Sequence, residues 1–99
     1  METEYLVAID EFCTSHNIEI SFISSLKQSG LIEIVSVKDS DFIVADQLPR
    51  LESYVRFYYD LDINLEGIET INNLLNRINA MQEEIRSLRN RLRFYETTL

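Results

Sequence analysis

Cysteine, histidine, proline and glycine are scarce: the 99 residues hold one, one, one and two of them. A single thiol, Cys13, excludes an internal disulfide framework. Cys13 and His16 together offer two of the four ligands a structural zinc ion takes, and no other cysteine or histidine exists to complete the set. Their spacing suits one face of a helix, where a buried thiol and a helix-end imidazole serve packing. Cys13 also lacks the setting of a nucleophile, because it belongs to an apolar face with no glycine-rich oxyanion loop beside it. No Walker loop or dinucleotide fingerprint is present, so phosphate cofactors have no obvious seat. With so few turn formers and 45% hydrophobic residues, the chain reads as one globular domain rather than a disordered segment.

Long apolar runs are missing as well. The wholly apolar stretches are a few residues long, too short to span a bilayer, and METEYLVAID has neither the basic start nor the apolar core of a signal peptide. The expectation is a cytoplasmic protein. Paired carboxylates such as Asp60 and Asp62 have the chemistry of a general acid and base, yet in a polar loop they read as a solvated helix boundary. The chain is therefore read as non-enzymatic, with no cofactor and no metal.

Positive charge is scarce in the first two thirds of the chain. Residues 1–70 carry fourteen Asp and Glu against Lys27, Lys38, Arg50 and Arg56, a net −10, while the rest carries five arginines against three glutamates, a net +2. Affinity for nucleic acid is largely neutralisation of phosphates by Lys and Arg, so the front of the molecule repels such a backbone and suits a basic surface. The arginines Arg77, Arg86, Arg89, Arg91 and Arg93 are interspersed with Glu83, Glu84 and Glu96, a pattern that flanks a coiled-coil seam better than it grips nucleic acid.

What is present is helical periodicity. After a short apolar segment around Tyr5 to Val7, Ile9, Phe12, Cys13 and His16 share one helix face, and Asn17, which tolerates the left-handed conformation, ends it. Residues 19–29 place Phe22, Ile23 and Leu26 on one face and stop at Gly30. Two short helices joined by a tight turn make a helix-turn-helix. LIEIVSV and DFIVA, separated by Lys38, Asp39, Ser40 and Asp41, predict a hairpin. A third helix is expected from Asp46 as cap, with Pro49 in its first turn and Leu48, Leu51, Val55 and Tyr58 on one side, ending by the acidic loop DLDIN. Asn64 caps a fourth helix, with Ile63 placed to staple onto Ile68 and Glu66 in the first turn.

Along that last helix apolar residues fall at Ile68, Ile71, Leu75, Ile78, Met81, Ile85, Leu88, Leu92, Tyr95 and Leu99, in steps of three and four. Two successive steps of three, from Leu75 through Ile78 to Met81, form a stammer that overwinds a supercoil locally. About 30 helical residues extend about 45 Å, too far for a small head to cover, so the seam Ile71, Leu75, Ile78, Met81, Ile85, Leu88 and Leu92 calls for a second helix. The simplest source is another copy of the chain, a homodimer.

Tyr54, Phe57, Tyr58 and Tyr59 span every face of the third helix, so they cannot all pack on one core. Two or three fill the junction with the fourth helix, and the remainder is available to anchor a partner.

The order of helix-turn-helix, wing, helix and long coiled coil resembles the MerR transcription-regulator family. The likeness rests on Ile9, Phe12, Asn17, Ile18, Gly30 and Leu31, then on LPRLESYVRF and INLEGI. It implies a mainly α fold with a small β wing: a MerR-like winged helix-turn-helix head over residues 1–62, followed by a long C-terminal coiled-coil helix over residues 63–99. DNA-binding members carry Arg-Tyr-Tyr on the second helix and Tyr-Arg in the wing. Here Ser24, Ser25 and Leu26 stand on the helix, and Phe42 and Ile43 in the wing. GLIEI and INLEGIETINNLLNRINAMQEEIRSLRNRL are similar to the CbpM-type chaperone modulators within that frame. That resemblance implies an acidic protein that binds the J-domain of a CbpA/DnaJ-like co-chaperone and inhibits its action on a DnaK-type chaperone. The expected contact set is Asp10, Glu11, Glu19, Glu52, Asp60 and Asp62, with Tyr54, Phe57 and Tyr58 as anchors; no nucleic acid and no membrane is expected. The rival is a MerR-like transcription regulator binding DNA as a dimer.

Overall fold

The structure is a computed structural model that describes the backbone of residues 5–98 and the side chains of residues 5–96. It begins with a strand the sequence left unassigned, β1 (Leu6–Ala8), followed by α1 (Ile9–His16) and α2 (Ile20–Gln28). Ile9, Phe12 and Cys13 are the buried residues of α1, and Phe22, Ile23 and Leu26 those of α2, as their three-four spacing requires. Asn17 sits at φ 56° and Gly30 at φ 77°, each ending its helix in the left-handed conformation. Beyond them the Ile18 N–H donates to the Cys13 carbonyl at 3.0 Å and the Leu31 N–H to the Leu26 carbonyl at 2.9 Å, closing the same cap twice.

The wing is shorter than expected. It consists of β2 (Val35–Val37) and β3 (Ser40–Val44), joined by Lys38 and Asp39 at φ 51° and 66°, the two left-handed residues of a tight hairpin turn. Strand β3 is central in an antiparallel sheet of order β1-β3-β2, with Val7 opposite Ile43 on one side and Val35 opposite Phe42 on the other. Leu31 and Ile32, expected within the wing, are buried core residues that bring the chain out of α2. The Gln47 amide then binds both backbone groups of Glu33, accepting from its N–H and donating to its carbonyl, each at 3.0 Å. A side-chain amide thereby substitutes for a neighbouring peptide and satisfies a stretch that lies outside the sheet.

Asp46 does not cap the third helix. It lies within a 3₁₀ turn, Ala45–Gln47, and α3 (Leu48–Val55) follows with Pro49 in its first turn and no side-chain cap. The tighter turn leads straight into the helix, so no extended residue intervenes to host a cap. At its far end α3 widens into a π-helical turn, Arg56–Asp60, in which the Leu61 N–H reaches the Arg56 carbonyl at 3.1 Å. The Ile63 N–H then donates to the Phe57 carbonyl at 2.9 Å across left-handed Asp62, φ 57°.

Helix α4 (Leu65–Thr98) starts as expected, with Asn64 Oδ1 accepting from the Gly67 N–H at 2.8 Å. Ile68 is fully buried in the head, and the first compact unit runs to Glu69. The core of that unit joins Ile9, Phe12, Ile23, Leu26, Ile43, Leu51 and Ile68, drawn from every layer of the head. Each such apolar side chain contributes about 1.5–3 kcal/mol on leaving water. From Thr70 the helix forms a second unit whose seam residues from Leu75 to Leu92 are exposed; Ile71 is half-buried, and Leu99 lies outside the described residues. No helix among the described residues is long and apolar enough to cross a membrane. The architecture is thus the expected winged helix-turn-helix head with a small three-stranded sheet, followed by a long C-terminal helix.

Candidate functional site

The exposed face of α2, the helix that enters the major groove in DNA readers of this shape, presents Ile20, Ser21, Ser24, Lys27 and Gln28. Ser25 is half-buried and Leu26 is fully buried. In the wing Ile43, expected from the sequence to be on offer, points inward and is fully buried, because alternation along β3 turns it to the core, while Phe42 is half-buried. One lysine at the hairpin tip, Lys38, completes the cations of helix and wing. Hydroxyls can accept or donate to phosphate but release no counterions, so this face has little of the electrostatic grip that duplex binding uses.

The aromatic residues sort differently from expectation. Tyr54 is only 3% exposed and belongs to the core cluster, so it is no surface anchor: α3 turns it inward with Leu51. Burial pushes its phenol above the usual value, opposed by the nearby Arg50 charge. Phe57 is half-buried and packs against that core. Tyr58 and Tyr59 are about two-fifths exposed, at 40% and 38%. An ordinary α-helical turn carries one residue fewer than the π turn, and the extra residue brings both tyrosines onto α2. Phe22 stacks on Tyr58 at 4.5 Å, and Tyr59 meets the pair edge-on, 5.4 Å from Phe22 and 5.0 Å from Tyr58. The Tyr59 hydroxyl accepts from the Glu19 N–H at 3.2 Å, fastening this cluster to the start of α2. Tyr59 is therefore a surface residue of the same standing as Tyr58, and the signal for it is the run of aromatics too dense for one core.

The acidic residues fall into separate places. Glu19 lines a depression of about 210 Å³ with Ser21, Phe22, Tyr58, Tyr59 and Asn64. Asp60 and Asp62 are exposed on either side of Leu61, itself 59% exposed, where the π turn ends. Glu11 and Glu52 border a second groove, of about 280 Å³, between α1 and α3. There His16 Nε2 lies 3.8 Å from Glu52 Oε2, an ion pair whenever the imidazole is protonated, and the ring stacks on Phe12 at 4.0 Å. Asp10 is exposed on α1, and its charge adds to burial in raising the Cys13 thiol. That thiol is 4% exposed, which makes it a packing group and a poor nucleophile.

Along the second unit the seam residues are open: Leu75, Ile78, Met81, Ile85, Leu88 and Leu92 are each between 44% and 58% exposed. Arg86 pairs with Glu83 one turn back on the same helix, the flanking charge pattern of a coiled-coil seam.

The chain matches the family described as MerR HTH family regulatory protein over residues 7–90. No curated protein and no solved structure matches it.

Proposed function

The chain belongs to the MerR HTH family of regulatory proteins, and from that premise we propose that it acts on a protein rather than on DNA. Its partner is a CbpA/DnaJ-like J-domain co-chaperone, whose basic helical face it covers and so withholds from a DnaK-type chaperone. The observation that carries this reading is the exposed face of α2, where a DNA reader needs cations and this chain has one lysine among two serines, an amide and Ile20. The net −10 of residues 1–70 is of the sign a Lys- and Arg-rich helix attracts. The Tyr58 and Tyr59 rings supply exposed aromatic surface of the kind that concentrates binding energy. The protein works as a homodimer through the exposed seam of α4.

Isothermal titration of the full-length protein with the J-domain co-chaperone from the same source is expected to give saturable heat, and a co-chaperone-stimulated ATPase assay is expected to show inhibition. Absence of both overturns the reading. Family membership and the winged frame favour a second reading, a transcription regulator that binds DNA as a dimer. A footprint on duplex DNA at physiological salt establishes it; loss of all DNA binding once salt reaches that level removes it.

A further inference from the structure

The geometry points to the depression between α2 and the π turn as a seat for a single cationic side chain of the partner, an arginine in preference to a lysine. This deepens the reading of the head as a binder of basic protein and rests on it. Two walls are the rings of Tyr58 and Tyr59, which meet edge to face at 75° with centroids 5.0 Å apart, each about two-fifths exposed. Phe22 backs both rings and is buried, which fixes them in place. Ring faces carry the negative part of the aromatic quadrupole, and a guanidinium set against them is attracted without losing its remaining donors.

The third wall is polar. Glu19 borders the depression, its Oε1 accepts from the Ser21 hydroxyl at 3.2 Å, and no cation among the described residues pairs with its carboxylate. An apolar anchor placed here would strip water from a carboxylate and return nothing, and an anion would meet that charge directly. A guanidinium satisfies both kinds of wall, stacking on a ring while donating to the carboxylate. Volume agrees: about 210 Å³ admits one long side chain and excludes a helix. The Glu19 N–H bound to the Tyr59 hydroxyl keeps the aromatic and acidic walls in register before any ligand arrives.

The test uses full-length ¹⁵N-labelled protein and two capped alanine-based helical peptides, one bearing arginines and the other citrulline at the same positions. The arginine peptide is expected to shift the amides of Glu19, Phe22, Tyr58 and Tyr59 most, and the neutral citrulline peptide to bind roughly tenfold more weakly. Glu19→Gln, which keeps the shape and the acceptor for Ser21, is expected to weaken the arginine peptide roughly fivefold, as is Tyr58→Leu. Should Tyr58→Leu fail to fold, Glu19→Gln decides alone. Equal binding of both peptides, or shifts centred on the Glu11 and Glu52 groove, overturns the assignment. Concentration-dependent shifts at the same four amides without peptide overturn it in favour of an arginine from a second copy. Titrating the J-domain co-chaperone against Glu19→Gln separates this inference from the reading beneath it. Unchanged affinity removes the arginine seat and leaves the partner, whereas a seated peptide with no co-chaperone heat removes the partner and leaves the seat.

Discussion

Gly67 has no room for a side chain because of Ile63: a Cβ built on Gly67 would stand 2.7 Å from Ile63 Cγ2 and 3.2 Å from Asn64 Oδ1. Alanine normally stabilises a helix by about 1 kcal/mol relative to glycine. Here the β-branched methyl of Ile63 sits close to its own backbone and gives way poorly, so Gly67→Ala is expected to destabilise by about 1–2 kcal/mol. Urea denaturation measures it. In an Ile63→Ala background the sign should reverse, which a purely intrinsic helix effect would not do.

Alkaline pH should weaken the head in two stages. Burial, assisted by the Asp10 charge, raises Cys13 above its ordinary 9.0, and burial raises Tyr54 above its ordinary 10.0 against the pull of Arg50. Both groups favour their neutral form in the fold, so their contribution is full below those ordinary values and is lost as pH rises through the raised ones. The urea midpoint is expected to hold level up to about pH 9 and then fall. Cys13→Ala should start lower and keep its level further. A midpoint constant to about pH 11 would contradict this account.

Leu88→Arg is expected to weaken self-association strongly. Leu88 is 52% exposed in the single chain and lies in the distal part of the seam, where an unpaired charge buried in a dimer costs about 3–5 kcal/mol. Sedimentation of the parent chain should give a dimer at tens of micromolar and the variant a monomer. A monomeric parent would sink the coiled-coil dimer, and the head's circular dichroism should be unaltered in either case.

Reversing Asp60 and Asp62 to lysine is expected to slow association with the J-domain co-chaperone roughly tenfold at low salt and to matter little at high salt, because exposed charges steer encounter more than they hold a complex. Stopped-flow traces at two ionic strengths check it. An unchanged association rate would place the contact elsewhere on the head, and dimerisation should be unaffected throughout.

Much of the frame was legible because it rests on local rules. Asn17, Gly30 and Asn64 marked helix ends by chemistry that acts within a few residues, and the structure puts each in that role. Strand β1 escaped because three residues carry no period, and its partner Ile43 is 36 positions from Val7. Asp46 misled because a 3₁₀ turn uses the same residue types as a cap. The aromatic cluster was half legible: a run of Tyr and Phe beyond one core's capacity foretold exposed rings. Which of them emerged depended on a π turn, whose single extra residue no spacing rule anticipates.

The placement of β3 also dictates an order of assembly during synthesis. As the chain leaves the ribosome β1 emerges first, yet it has no hydrogen-bonding neighbour until Phe42, Ile43 and Val44 are free, by which time β2 and its tight turn have already offered β3 a local mate. The hairpin should therefore close first and the N-terminal segment join late, across a loop whose entropy only the finished core offsets. A nascent head stalled before Val44 would lack the strand that both β1 and β2 pair with, and so would have no complete sheet.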